Sequence, residues 1–593
     1  NQMDKNSLTG AILIILIWIV FSTFFLNSGS ENKEDIDRTQ FNSEQRTTNE
    51  IESKNKNFIN NELEIEEPSI FKNLKTGEGG VEVLENEKIK LLINRKGGGI
   101  ESVFINDYKT YEGEPLDLFS KNSKLNIQFY NKDIINTSEL YFTPSFSGNE
   151  LKMLLEFSKE EYIEYVYTIS DDYLVDFDIN FNGINNIINN NYLNLEWEMM
   201  TPKTEKSKSN QDMYTGLYYQ DSSDKEVDNL SLTKEDEEII KYKLNWVAFK
   251  QQFFSAILIA KDGFDKPITL KSKTNDNENL IKDLCANFEI PIEKNNSQQD
   301  INLQFYFGPN HYKTLQKYDS KFEELVPLGW GIFGWVNKYI IINIFDFLSR
   351  YISNYGIIIL LLTIIIKLSL APFTYKAFLS QAKMKVLKPE IDKINEKHKG
   401  KDPMKLQQAT MNFYRKAGVN PMGGCLPMLF QFPILIAMFR FFPASIELRQ
   451  QSFLWADDLS AYDSIYELGF SIPFYGDHVS LFTLLMTIST LLYTRMNSSM
   501  ATGQMAQMKW MMYLMPIMFL GFFNNYAAGL SYYYFLANMF TFGQQAIMKT
   551  TIDENKLLAQ IEENKKKPKK KSNFQKKLEE LQKKQERRLK NRK

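Results

Sequence analysis

Apolar runs long enough to cross a bilayer sit toward both ends of the chain, and a long stretch of two-residue alternation lies between them. Leu8 to Leu26 is a run of 19 residues broken only by Thr9, Gly10, Ser22 and Thr23. The apolar core of a cleaved signal peptide is about 7–15 residues, so with Met3 as the start, residues 1–26 read as a retained anchor. Residues 27–68 are rich in Asn, Glu, Ser and Lys and hold too few large apolar side chains to offset the entropy of ordering; they read as a disordered linker. From Val81 to Phe307, short alternating runs such as Lys88–Asn94, Glu164–Thr168 and Leu174–Asn180 predict strands, punctuated early by Gly97, Gly98 and Gly99. No helical stripe of comparable strength interrupts them, and residues 69–325 are expected to form an all-β sandwich.

The pattern changes at Pro327. Trp330 to Arg350 carries Lys338, Asn343, Asp346, Ser349 and Arg350, which fall within about 140° of one another at 100° per residue. Residues 326–350 are therefore expected to form an amphipathic helix lying in the membrane interface. Five spans follow, at Tyr355–Phe373, Leu426–Phe442, Val479–Tyr493, Met508–Phe523 and Leu530–Ile547. With the N-terminal anchor they make six transmembrane helices, five of them in a core over residues 351–548.

Charge orients these spans. The net charge of -3 hides 34 basic against 54 acidic side chains in residues 27–325 and 17 against 7 in the tail, residues 549–593. Residues 375–418 hold 11 basic and 4 acidic side chains, and 494–509 hold Arg495 and Lys509 alone, so these segments and the tail belong in the cytoplasm. Residues 443–478 set Arg449 against six carboxylates and belong outside. The two sets alternate across every span, which puts both termini in the cytoplasm and the β-domain in the periplasm.

Residues 374–418 carry a second message. Ala377, Ser380, Met384, Leu387, Ile391 and Ile394 are spaced 3-4-3-4-3, a coiled-coil seam. Gly400 can end one helix, Asp402 and Pro403 can start another, and Leu406, Ala409, Phe413 and Ala417 supply the facing stripe. A cytoplasmic helical hairpin is expected, with a kink at Pro389.

Lys367 lies 12 residues into its span, where a charge costs about 2.5–3.5 kcal/mol on insertion scales. Phe373 is six residues on, about 9 Å, so a boundary lysine reaching the headgroups is an equal reading on this span alone. Thr363 one turn earlier, Gln431 in the next span, and Asn538, Thr541, Gln544 and Gln545 in the last favour a shared polar cavity, although each amide alone could join helices. Met511, Met512, Met515, Met518, Phe519 and Phe522, with Phe432, Met438 and Phe439, form Met-rich and aromatic faces. Packing or lipid contact explains them by default; an adaptable surface for varied apolar clients is the sharper reading.

Cys285 and Cys425 are 140 residues apart and suggest no disulfide. His311, His398 and His478 are scattered, so neither a metal nor a cofactor is expected. No nucleophile-base pair or phosphate loop points to an enzyme. A secondary transporter would show paired repeats with broken helices, which are not found. An envelope-polymer-binding protein would use the β-domain, with its spans as anchors.

The string from Val419 through Asn-Pro-Met-Gly-Gly-Cys-Leu-Pro-Met-Leu-Phe-Gln-Phe to Pro433 resembles the signature of the YidC/Oxa/Alb insertases, as does Phe453-Leu-Trp-Ala-Asp-Asp-Leu-Ser-Ala-Tyr462. Ser380-Gln-Ala-Lys-Met384 and Leu387-Lys-Pro389 are similar to the family's cytoplasmic hairpin. Trp246-Val-Ala-Phe-Lys-Gln-Gln252 and Phe305-Tyr-Phe-Gly-Pro-Asn-His-Tyr-Lys313 resemble its Gram-negative branch. The resemblance implies a chaperone and insertase of the bacterial inner membrane, working alone or with the Sec translocon on nascent membrane proteins. It implies a hydrophilic groove, placed here at Lys367, Thr363, Gln431, Asn538, Thr541 and Gln544, that admits a client's polar segment. The apolar segment would slide out along the third and fifth spans, here at Phe432, Met438, Phe439, Met511, Met515 and Phe519. The family's groove cation is usually arginine, and lysine stands there in this chain. The basic hairpin and tail suit the ribosome or anionic lipids; no DNA is implied.

Overall fold

The computed structural model describes residues 69–119, 123–189, 191–265, 267–293, 297–398, 403–419, 426–498 and 509–566. The expected anchor and linker, Gly400 and Asp402, residues 420–425 and the distal tail lie outside these residues. The chain divides into two compact units after Val326.

In the first unit, strands such as Leu174–Asn182 and Tyr192–Pro202 bury every second residue, as a sheet with one inward face requires. A nine-stranded antiparallel sheet runs in the order Val227–Asn229, Gly216–Asp221, Leu244–Lys250, Phe254–Phe264, Gln298–Pro309, Leu174–Asn182, Glu161–Ile169, Glu150–Ser158 and Thr143–Ser147. A six-stranded sheet faces it, ordered Asp236–Ile240, Ile268–Thr274, Leu280–Pro291, Tyr192–Pro202, Lys124–Asn131 and Asp133–Asn136. Their inward faces meet in an aromatic core, where Trp197 stacks on Phe249 at 3.9 Å between centroids and Phe264 on Phe288 at 4.1 Å. The expected β-sandwich is thus present. A four-stranded sheet, Val81–Glu85, Ile89–Asn94, Ile100–Lys109 and Pro115–Asp117, joins it through Tyr108, whose ring meets Phe254 at 5.0 Å. Gly98 has φ +65° with the Phe142 ring 3.0 Å from where a Cβ would stand, which explains a glycine there.

Short helices α1 (Ser69–Leu74), α2 (Lys208–Tyr214) and α3 (Tyr312–Leu315) decorate the sandwich. Around α2 two lysines are buried. Lys282 Nζ donates to the carbonyls of Asp212, Thr215 and Leu232 at 2.7–3.0 Å, and Lys250 Nζ donates to the Tyr214 carbonyl at 2.6 Å. On the six-stranded sheet, Glu196 and Glu198 converge with Cys285. Lys124 ion-pairs with both carboxylates, at 3.3 and 3.2 Å, and burial pushes the thiol up to about 12.

The second unit is helical. Residues 331–349 form one continuous helical segment: α4 (Gly331–Val336), a π turn (Asn337–Ile341) and α5 (Ile342–Ser349). The expected interfacial helix is more apolar than its polar arc suggests. Val336, Ile341, Ile342, Phe345 and Leu348 are buried, while Ile332, Trp335, Tyr339, Ile340 and Phe347 are exposed on other faces. Buried Asn337 donates through Nδ2 to the carbonyls of Leu328 and Ala437.

Five helices occupy the predicted span positions: α6 (Tyr355–Val386), α9 (Leu426–Ala444), α10 (Leu481–Ser498), α11 (Lys509–Asn524) and α12 (Ala528–Thr551). Among the described residues one helix, α6, is both long and apolar enough by itself to cross a membrane. Helix α10 starts at Leu481 rather than Val479, because Val479 completes a strand and the Ser480 hydroxyl caps the helix by accepting from Thr483 N at 3.1 Å.

The hairpin differs from its expectation in two ways. Its first arm is the continuation of α6, and Pro389 does not kink a helix: α6 ends at Val386 and α7 (Lys388–Lys397) starts with the proline in its first turn. Its core is also not a seam between two arms alone. Leu387, Ile391, Tyr414, Ala417 and Val419, with α8 (Pro403–Ala417) supplying Tyr414 and Ala417, close around Ile561 of α13 (Glu554–Lys566), the first part of the tail. Lys565 reaches both Glu390 oxygens at 2.9 Å and Lys385 reaches Glu554 at 3.2 Å. These exposed pairs add little, and the buried Ile561 contributes on the order of 2 kcal/mol.

Burial and the nearby Lys282 ammonium lower the Lys250 ammonium to about 7. The unfolded chain keeps that proton up to the ordinary value of 10.5, so it binds more protons than the fold between the two values, and stability rises with pH there. Urea denaturation of residues 69–326 should show stability climbing from about pH 7 to 9, by at most about 1.4 kcal/mol per pH unit from this group. Lys250→Met should flatten that rise.

Candidate functional site

Helix α12 gathers the polar side chains of the bundle. Lys367, buried on α6, donates from Nζ to Thr541 Oγ1 of α12 at 3.0 Å, and Gln544 Nε2 donates back to the Lys367 carbonyl at 3.2 Å. One turn along α12, Asn538 Nδ2 donates to Ser489 Oγ at 2.9 Å and Thr490 Oγ1 at 3.0 Å on α10. Four of the six groove candidates therefore lie in one seam joining α6, α12 and α10. Thr363 is fully buried but bonds the Ile359 carbonyl of its own helix at 2.7 Å, and Gln431, half-buried on α9, is not hydrogen-bonded to the seam.

Lys367 is 7% exposed, so its side chain is enclosed by protein. No carboxylate among the described residues lies within ion-pair distance of it. A cation held by a hydroxyl alone leaves most of its hydrogen-bonding capacity unused, and it favours the approach of acidic or hydrated groups.

The apolar candidates separate. Phe432 and Met515 are exposed and Met511 and Phe519 half-buried, but Met438 and Phe439 are buried. Phe439 stacks on Tyr526 at 4.9 Å, so these two pack the bundle and present no sliding face.

A second polar cluster escaped the sequence reading, in which Asp463 is a loop charge, His478 a scattered histidine, and Trp455 and Tyr462 part of a motif string. Asp463, 2% exposed, accepts from Trp455 Nε1 at 2.9 Å, Phe482 N at 3.0 Å and the Ser480 hydroxyl. Ser480 and Thr483 hydroxyls are 2.9 Å apart, and Thr483 meets Ser531 of α12 at 3.1 Å. The His478 ring stacks on Tyr462 at 3.8 Å, with Nε2 2.8 Å from the Asn524 carbonyl. The cluster ties the loop before α10 to the ends of α10, α11 and α12. Its signal was the adjacency of Asp463 to the Phe453–Tyr462 string, which alone does not say that the carboxylate is buried.

A β-sandwich unit and a bundle of apolar helices with a buried cation fit a membrane protein that carries a separate β-domain. Comparison with known proteins agrees: the 60Kd inner membrane protein family matches residues 347–557, and the YidC periplasmic domain family matches residues 83–342. The membrane protein insertase YidC of Parabacteroides distasonis is 42% identical over 98% of this chain and 97% of its own. Those of Bacteroides fragilis, 41% identical over 98% of both chains, and Amoebophilus asiaticus, 39% identical over 95% and 96%, are similar at nearly full length. The chain belongs to the YidC family of membrane protein insertases. That membership decides against the transporter and envelope-polymer readings.

Replacing Asp463 by Asn puts an amide NH₂ where two N–H donors and a hydroxyl converge. The loss should be about 1–3 kcal/mol, read as a lower midpoint of thermal unfolding in detergent. Asp457→Asn, at an exposed neighbouring carboxylate, should leave the midpoint within experimental error.

Proposed function

We propose that the Lys367 seam receives the polar segment of a nascent membrane protein and that Phe432, Met511, Met515 and Phe519 meet its apolar segment on α9 and α11. The observation that carries this reading is the buried ammonium bonded to the Thr541 hydroxyl with no carboxylate in reach among the described residues. A transient polar segment gains from such a charge because a bundle of apolar helices screens it weakly. Exposed Met and Phe side chains repack around varied apolar sequences. The reading is non-enzymatic: no bond is made or broken, and the chain lowers the cost of moving polar groups into an apolar phase.

Alternation of loop charge supports six spans, both termini in the cytoplasm and the loop 443–478 outside. In a background lacking Cys285 and Cys425, an impermeant thiol reagent added from the periplasmic side should modify a cysteine at exposed position 457 and spare one at exposed position 396. The reverse pattern overturns the orientation. The basic tail suits ribosomal RNA or anionic headgroups, and the Sec translocon fits as an optional partner.

Insertion of radiolabelled clients into proteoliposomes, scored by protease protection with variant amounts matched, tests the role of Lys367. A client carboxylate about 10 Å from the ammonium at an effective dielectric constant of about 20 gains roughly 1.7 kcal/mol, a little over tenfold. Lys367→Arg should stay active. Lys367→Ala should lower insertion of clients with acidic translocated tails by about tenfold, and Lys367→Glu should lower it further, with neutral clients much less affected. Equal insertion by the alanine and glutamate variants for both kinds of client would reduce Lys367 to a structural residue.

A further inference from the structure

The loop between α9 and α10 contains a β-hairpin, Tyr466–Ile472 paired with Gly476–Val479. Its surface is unlike that of a water-facing hairpin. Ile465, Tyr466, Phe470, Ile472 and Phe474 are all exposed, Phe474 at 98%, and Glu467 is the one carboxylate in residues 465–476. Apolar side chains this large and contiguous mark a contact surface.

The fold fixes where that surface lies. Asn524 Nδ2 donates to the carbonyls of Tyr475, at the end of the turn, and of His478 in the second strand, and the buried His478 returns a contact to the Asn524 carbonyl. At the tip, the Phe474 carbonyl lies 2.5 Å from where a Cβ on Gly521 would stand, so the turn rests on the helix backbone and glycine makes room for it. Gly521 precedes Asn524 by three residues, which places the tip about 5 Å back along α11, toward the middle of the span. There the hairpin continues an exposed apolar surface of α11 formed by Ile517, Met518 and Phe522. Phe474 itself has φ +66°, a backbone conformation that a bulky residue rarely adopts, and the consequence is a phenyl ring thrown clear of all protein. Glu467 lies toward the root, where its carboxylate accepts from the Ser464 hydroxyl at 2.6 Å.

The geometry points to a lipid-anchoring hairpin: Phe470, Ile472 and Phe474 enter the boundary between headgroups and acyl chains of the leaflet on their side, and they fix the depth of α11. The occupant is lipid because the tip is folded down beside a span, its apolar face is continuous with the span's, and the hairpin's two carboxylates stay away from the tip residues 470–474, Glu467 toward the root and Asp477 beside the buried His478 ring, 3.0 Å from its Nδ1. Aromatic rings are favoured at that depth. Depth of α11 matters to the client path, since α11 carries Met511, Met515 and Phe519. The inference rests on the membrane reading of the bundle and is independent of any role for Lys367.

Nitroxide labels on single cysteines at positions 467, 470, 474 and 514 of the full chain, with Cys285 and Cys425 replaced, test it in vesicles of phosphatidylethanolamine and phosphatidylglycerol. Power saturation compares collisions with oxygen, which concentrates in lipid, and with a water-soluble nickel chelate. The oxygen-to-nickel ratio at 470 and 474 should exceed that at 467 by about fivefold and approach that at Leu514, an exposed mid-helix position on α11. A high nickel value at 470 and 474 with a lipid-like value at 514 overturns the anchor alone. High nickel at all four sites overturns the span itself. Low accessibility to both reagents at 470 and 474 means a protein covers the hairpin and also overturns the proposal. The label at 470 keeps Phe474 in place, so the test does not depend on the variant at the strained position folding.

Discussion

Every polar group inside the helical unit must find its partner there, because an apolar surround offers none. Helix α12 meets this constraint for groups on α6 and α10. Ser531, Asn538, Thr541 and Gln544 recur along it and reach α10 or α6 through hydrogen bonds of 2.9–3.2 Å. At helical rise these residues extend over about 20 Å, most of the depth of a bilayer's hydrocarbon. The bundle is held in register by this stripe more than by ridge packing, since lipid tails compete on equal terms for apolar contacts.

The two ends of the stripe are built differently. At the Ser531 end, Asp463, Ser480, Thr483 and Asn524 complete one another, so that three loops and helix ends form a single closed network. At the Lys367 end the cation has a hydroxyl and, among the described residues, no counter-charge. A satisfied network rigidifies, while a half-satisfied one retains capacity for another partner. This asymmetry suits the function proposed for the Lys367 seam: one end of the stripe is hydrogen-bonded to completion, and the other keeps donor capacity for a further partner.

Beyond the spans, α13 turns part of the tail into structure. Ile561 fills the hairpin core beside Leu387, Ile391 and Tyr414, and Lys565 lies 5.3 Å from the centroid of Phe413. The hairpin and the start of the tail thus share one core, and whatever moves one moves the other. The β-unit needs no such tie, because an aromatic core between two twisted sheets supplies its own stability.

Sequence by itself determined the β-sandwich, the five apolar helices and the family, because two-residue alternation, long apolar runs and ordered motifs are local patterns. It located Lys367, Asn538, Thr541 and Gln544 as costly residues in apolar runs, since their expense is a property of composition. Only tertiary structure decided which of them meet, that Thr363 bonds its own helix, and that Met438 and Phe439 face inward. Pro389 reads as a kink in the sequence, and the end of α6 three residues earlier makes it a helix start instead. The buried Asp463 cluster and the docking of Ile561 were hidden for the same physical reason. A carboxylate in a polar loop and an isoleucine in a basic tail become structural only when elements distant along the chain close around them.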